Sequence, residues 1–86
     1  MNPYQLQVTA KYRPEVLERV LRLTRHRGFR VDDMNMSTQD NGQSLAINLN
    51  VFSDRPISQL SLQLEKLLDV TKVQITDQEQ MLKKTA

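Results

Sequence analysis

Few side chains in this sequence are equipped for chemistry. The one histidine, His26, sits between Arg25 and Arg27, and no cysteine occurs. An imidazole flanked by guanidiniums has no neighbouring carboxylate to orient it and no nucleophile to serve. It reads as solvated helix charge rather than as a general base. Without cysteine there is no thiol catalysis, no disulfide and no thiolate metal site. A single histidine also falls short of a zinc ligand set. Asp32-Asp33 is a pair of adjacent carboxylates. Such a pair can hold magnesium, but no glycine-rich phosphate loop accompanies it, so a strand bulge or polar edge is the better reading. No catalytic constellation emerges.

These groups lie on a chain with regular patterning. Tyr4, Leu6, Val8, Ala10 and Tyr12 alternate with Gln5, Gln7, Thr9 and Lys11, which predicts a strand with one buried face. Arg13-Pro14 then opens a helix, since proline suits the first turn, where no amide hydrogen is required. Val16, Leu17, Val20, Leu21, Leu23 and Thr24 share one side of it, and Glu15, Glu18, Arg19, Arg22, Arg25 and His26 the other. Glu15 with Arg19, and Glu18 with Arg22, have i,i+4 spacing in the favourable order. The arginines gather toward the C-terminal end, where the helix dipole favours cations. Gly28 suits the left-handed position that ends many helices.

Phe29 and Val31 begin a second strand, yet Met34 and Met36 have the opposite parity. A bulge at Asp32-Asp33 would reset the alternation and spare a buried strand two carboxylates. Asp40-Asn41-Gly42 is a hairpin turn signal. The third strand puts Leu45, Ile47, Leu49 and Val51 on one face and Ala46, Asn48, Asn50 and Phe52 on the other. Ser53-Asp54-Arg55-Pro56 leads into a second helix with Ile57, Leu60, Leu64, Leu67 and Leu68 as its apolar stripe and Leu62 opposite. A last strand spans Val70 to Thr76, with Val73 and Ile75 inward. From Asp77 to Ala86 the tail is polar and has no partner in the pattern, so it is expected to fray.

The order β-α-β-β-α-β is the ferredoxin-like, split βαβ arrangement: an α+β domain over residues 1–76, with a four-stranded antiparallel sheet and both helices on one face. At 86 residues the chain is one domain with a modest core. No apolar run is long enough to span a membrane and no cleavable signal is apparent, so a cytoplasmic location is expected.

The sheet face away from the helices would carry Gln5, Gln7, Thr9, Lys11, Asn35, Ala46, Asn48 and Asn50. Antiparallel sheets often leave one face to water. An amide-rich, nearly uncharged face also suits docking, because charge is depleted at interface centres. Candidate partner contacts are therefore Asn48 and Asn50 on this face, Arg19 and Arg22 on the first helix, and Leu62 on the second. The edge strand, with Phe29, Val31, Met34 and Met36, is a candidate for pairing with a second copy across a two-fold axis.

The same fold serves RNA recognition, and Arg19, Arg22, Arg25, Arg27 and Arg30 raise that possibility. Arg27-Gly28-Phe29 echoes the start of an RNA-binding signature, but Arg30-Val31 breaks the pattern, and it lies on the second strand rather than the third. The open face offers amides where stacking rings should stand. A net charge of +2 is also modest, so no nucleic-acid partner is expected.

Taken together, Pro14-Glu15-Val16-Leu17-Glu18-Arg19-Val20-Leu21-Arg22, Arg25-His26-Arg27-Gly28-Phe29, Met34-Asn35-Met36 and the later Gln63-Leu64-Glu65-Lys66-Leu67-Leu68-Asp69-Val70 with Val73 resemble the small regulatory subunits of acetohydroxyacid synthase (acetolactate synthase), of the short single-domain type. The resemblance implies an ACT domain, a ferredoxin-like module that commonly senses amino acids. It implies a non-catalytic role: binding and activating a large catalytic subunit in valine, leucine and isoleucine synthesis. Thiamine diphosphate, magnesium and FAD would belong to that large subunit, with none on this chain. Effector-binding members of the family carry Asn-x-x-Gly before the first helix. Tyr12, Arg13, Pro14, Glu15 and Val16 occupy that loop here, with Tyr12 and Glu15 at the two motif positions. A glutamate in place of the glycine disfavours an anionic ligand near backbone amides, so weak or no valine binding is expected. Two other readings stand beside this one: a free-standing amino-acid-sensing ACT dimer, and the less supported RNA-binding module.

Overall fold

The structure, a computed structural model, describes residues 1–76, and the tail expected to fray lies outside the described residues. Alternation at the start of the chain gives β1 (Asn2–Lys11), followed by α1 (Val16–His26), β2 (Arg30–Gln39), β3 (Ser44–Ser53), α2 (Ser58–Glu65) and β4 (Val70–Thr76). The strands form one antiparallel sheet in the order β2-β3-β1-β4. β1 and β3 are central, and β2 and β4 are its edges.

Parity sets the two faces. Leu6, Val8 and Ala10 of β1 pair with Leu49, Ile47 and Leu45 of β3, and all six are buried. Val16, Val20, Phe29, Leu60 and Leu64 close over them to complete the core. Each such side chain contributes about 1.5–3 kcal/mol by leaving water. Tyr4 lies beside Phe29, ring centroids 6.3 Å apart.

The expected bulge is present. Val31 pairs with Val51 and Asp33 with Asn50, so Asp32 is the extra residue on β2. Beyond it Met34 faces Leu49 and Met36 faces Ile47, which returns both methionines to the core parity. Asp32 holds Arg30 through two hydrogen bonds, from Nε at 2.8 Å and from Nη2 at 3.3 Å. That bonding, with the charge of Asp32, raises the Arg30 guanidinium above its ordinary value.

The end of α1 is a Schellman motif. Phe29 N–H donates to Thr24 O at 3.1 Å, Gly28 N–H donates to Arg25 O at 3.0 Å, and Gly28 has φ +86°. The buried Ser53 hydroxyl donates to Gly28 O at 2.9 Å and accepts from Arg55 N–H at 3.0 Å, which ties this cap to the end of β3. In the β2–β3 hairpin, Asp40 and Asn41 both have positive φ, the pattern of a type I′ turn, and Gly42 N–H donates to Gln39 O.

Several expectations need correction. Tyr12 lies beyond β1 and is 47 % exposed rather than buried. Leu68 is 89 % exposed, because α2 ends at Glu65 and the following turn carries its side chain off the stripe. Ile75 has the core parity opposite Leu6, but it sits at the far end of an edge strand and stays exposed. Ala46 has the open-face parity, opposite Thr9 and Ser37, and is nonetheless buried, its methyl sunk below the taller side chains around it. Among the described residues, the ion pairs are Met1–Asp54, Arg13–Asp69 and Arg30–Asp32; Glu15–Arg19 and Glu18–Arg22 do not close. Both of those pairs are exposed, where water competes well for each charge.

Candidate functional site

The loop between β1 and α1 is held from both sides. Lys11 N–H donates to Asp69 O at 2.9 Å, and Tyr12 N–H donates to Gln43 O at 2.9 Å. Arg13 then reaches Asp69, with Nε 3.6 Å from Oδ1. Pro14 and Glu15 turn the chain into α1, whose N-cap Glu15 has ordinary helical angles (φ −93°, ψ −4°) and makes no side-chain capping bond. The glutamate therefore sits in a conformation that any residue accepts.

Against this loop lies a small hollow of about 110 Å³, lined by Tyr12, Arg13, Pro14, Leu17, Met36 and Leu45. Three of the five expected loop residues line it. Glu15 is not among the residues that line it, and Val16 is 1 % exposed as the first core residue of α1. Leu17 and Leu45 join the hollow without belonging to the loop; their sequence signal is their place one residue after it and on the inward face of β3. The hollow is mostly apolar, small beside ordinary ligand pockets of about 300–1,000 Å³, and bordered by the edge strand through Met36.

On that edge, Val31 and Met34 are half-buried and Met36 is 44 % exposed. Phe29 does not belong with them: it precedes β2 and its ring is buried in the core. From Met34 to Gln39 the strand carries no charged residue.

The open sheet face bears cross-strand rows of amides. Asn48 Nδ2–H donates to Asn35 Oδ1 at 2.9 Å, and Asn50 Nδ2–H donates to Asp33 Oδ2 at 3.3 Å. Gln5 and Gln7 continue these rows on β1. Phe52, the ring of that parity, is covered by the Arg30 guanidinium, 5.0 Å from the ring centroid. Arg19, Arg22 and Leu62 are exposed on the helices, in the layer opposite Asn48 and Asn50. The candidate partner contacts thus fall on two opposite faces and do not form one patch. Among the described residues there is no group of three or more His, Cys, Asp or Glu side chains placed to hold a metal ion, and no helix is long and apolar enough to cross a membrane.

The sequence profile of the ACT domain matches residues 12–73, which include the loop, both helices and the edge strand. The chain belongs to the ACT domain family. The small subunit of acetolactate synthase isozyme 2 from Escherichia coli (strain K12) is 48 % identical over 75 residues, covering 87 % of this chain and 86 % of that protein. The subunit of the same name from Shigella flexneri matches equally. Solved structures share the fold. An acetolactate synthase small subunit from Thermotoga maritima superposes with a TM-score of 0.78 at 23 % identity, over 91 % of this chain and 49 % of that one. The ACT domain of a GTP pyrophosphokinase from Chlorobium tepidum gives 0.74 at 12 % identity, over 86 % of this chain and 96 % of that one.

Proposed function

We propose that this ACT protein is the regulatory subunit of an acetolactate synthase, binding the large catalytic subunit and activating or stabilising it in branched-chain amino-acid synthesis. The observation that carries this reading is the 48 % identity to the isozyme 2 small subunit over nearly the whole of both chains. In this reading the chain supplies no catalytic residue. Thiamine diphosphate, magnesium and FAD stay with the partner, and both work in the cytoplasm. The protein pairs with a second copy along β2, using Val31, Met34 and Met36. Arg19, Arg22, Asn48, Asn50 and Leu62 are its candidate contacts with the catalytic subunit.

Feedback by valine is weak or absent in this reading. Tyr12 helps line the hollow beside the loop, and Glu15 adds a carboxylate near where a ligand carboxylate would have to approach. Co-expression with a large subunit of the same genome tests the assignment. Co-purification and higher acetolactate formation than the large subunit gives alone are expected. Separate elution with unchanged activity would remove the reading.

A second reading, a free-standing amino-acid sensor, draws on the mostly apolar hollow at Tyr12, Leu17 and Met36. It requires the melting temperature to rise with a bound amino acid, because a ligand that binds only the folded state must stabilise it. A flat response across the branched-chain and other amino acids removes it.

A further inference from the structure

We infer that the outer face of α1, around Arg19, Arg22, Arg25 and His26, is a docking surface for an acidic patch on the catalytic subunit. The inference rests on the proposed function and assigns this face of α1 as a contact site.

Charge is unevenly distributed along the chain. The whole carries +2, while residues 19–27 hold Arg19, Arg22, Arg25 and Arg27 and no acid, so the rest of the chain carries −2. The arginines of residues 19–27 differ from Arg13 and Arg30, although Arg55, between β3 and α2, likewise has no carboxylate within 4.0 Å among the described residues. Arg13 and Arg30 each meet a carboxylate, at Asp69 and Asp32, whereas among the described residues no carboxylate lies within 4.0 Å of Arg19, Arg22, Arg25 or Arg27. Glu15 and Glu18, one turn before Arg19 and Arg22, do not close on them. The helix dipole accounts for cations only in the last turn, where Arg25 and His26 stand. Arg19 and Arg22 lie a turn or more earlier and gain little from it.

Arg22, Arg25 and His26 frame an open furrow on the helix surface. Guanidiniums at this spacing present forked donors that match carboxylates in a bidentate way. The face is also ill suited to a second copy. A two-fold interface sets a patch against itself, and here that would place arginine against arginine. Pairing of copies along β2 leaves this face to a different chain, and its uncompensated charge selects an acidic one. RNA would also be attracted by the charge, but the amide-rich sheet face and the capped Phe52 ring provide no stacking platform for bases.

The test measures the affinity of the purified large subunit for the full-length chain at low and at high salt. It compares wild type with Arg22→Glu/Arg25→Glu and with the milder Arg22→Gln/Arg25→Gln. Both positions are exposed, and unchanged circular dichroism and melting temperature confirm an intact fold. Wild-type affinity should fall as salt rises. Charge reversal should weaken binding at least tenfold and abolish the salt dependence, and neutralisation should lie between. Wild-type binding that ignores both salt and these substitutions overturns this inference alone. No binding by wild type overturns the functional reading and this inference with it. Tighter, steeply salt-dependent binding of a polyuridine RNA than of the large subunit also overturns it.

Discussion

Arg13 Nε stands 3.6 Å from Asp69 Oδ1, joining the loop that enters α1 to the connection between α2 and β4. The guanidinium is more than half exposed while the Asp69 side chain is 11 % exposed, so the two partners are unequal. Removing Arg13 strands a largely desolvated carboxylate. Arg13→Ala should lower stability by about 1 kcal/mol, more than an exposed pair typically contributes. For a domain of this size that corresponds to about 4–8 °C in melting temperature. Urea titration at neutral pH measures it, and an unchanged midpoint would show the pair to be idle.

The two glycines differ in what surrounds them. Both have positive φ, +86° at Gly28 and +84° at Gly42. A Cβ on Gly28 would lie 2.9 Å from Arg55 Nε, whereas one on Gly42 meets nothing within 4 Å. Gly42→Ala should therefore carry only the left-handed strain, about 1–2 kcal/mol. Gly28→Ala adds a shift of the flexible Arg55 side chain beside the Ser53 bond that holds the cap, and should cost slightly more. The comparison is read from paired denaturation curves, and equal losses would exclude the added Arg55 effect.

Asp32 is surplus to the pairing of β2. Deleting it leaves Val31 opposite Val51, Asp33 opposite Asn50 and Met34 opposite Leu49, with strict alternation restored. The deletion should fold in the same register and cost little, since the Arg30–Asp32 pair it removes is exposed and screened by water. Deleting Asn35 instead turns Met36 and the rest of β2 to the opposite face and should cost several times as much. Amide hydrogen exchange across β2 and β3 distinguishes the two outcomes.

The bulge was legible because the sequence itself breaks parity: Phe29 and Val31 disagree with Met34 and Met36, and two aspartates stand at the break. Alternation likewise placed the faces of β1 and β3. What alternation does not encode is how far the covering layer reaches. Tyr12, Ile75 and Leu68 have apolar side chains in the expected rhythm, yet Tyr12 and Leu68 lie past the ends of β1 and α2, and Ile75 stands at the far end of the edge strand β4. Phe29 opens a strand pattern and so reads as part of an edge, while its position as the residue after Gly28 in a Schellman cap turns it inward. The hollow is only half legible, since Tyr12, Arg13 and Pro14 are consecutive in sequence but Met36 and Leu45 arrive from β2 and β3.

The proposal that the effector position is degenerate predicts a gain of function. Glu15 needs no special backbone angles and makes no capping bond, so Glu15→Gly removes a Cβ and a negative charge at little cost in stability, because glycine is well accepted at an N-cap. Tyr12 lines the hollow, and Tyr12→Asn gives it an amide able to bond a ligand. Titration calorimetry with valine should give no heat for wild type and measurable binding for the double variant. Silence from the double variant would mean that the hollow lacks a ligand site for reasons beyond these two residues.

Both edges of the sheet offer unpaired backbone, so the proposed pairing of copies must choose between β2 and β4. β2 presents Met34 to Gln39 without a charge, and Met36 is an exposed apolar side chain within that stretch. β4 carries Lys72 in its middle, and lysine on an edge strand discourages pairing. Met36→Lys should therefore weaken dimerisation at least tenfold in sedimentation experiments, equivalent to about 1.4 kcal/mol. The side chain is too exposed for the change to unfold the monomer. Gln74→Lys places the same charge on the opposite edge and should leave the dimer intact. If Gln74→Lys dissociates it and Met36→Lys does not, the copies meet through β4, and the hollow beside Met36 remains open to solvent in the assembled protein.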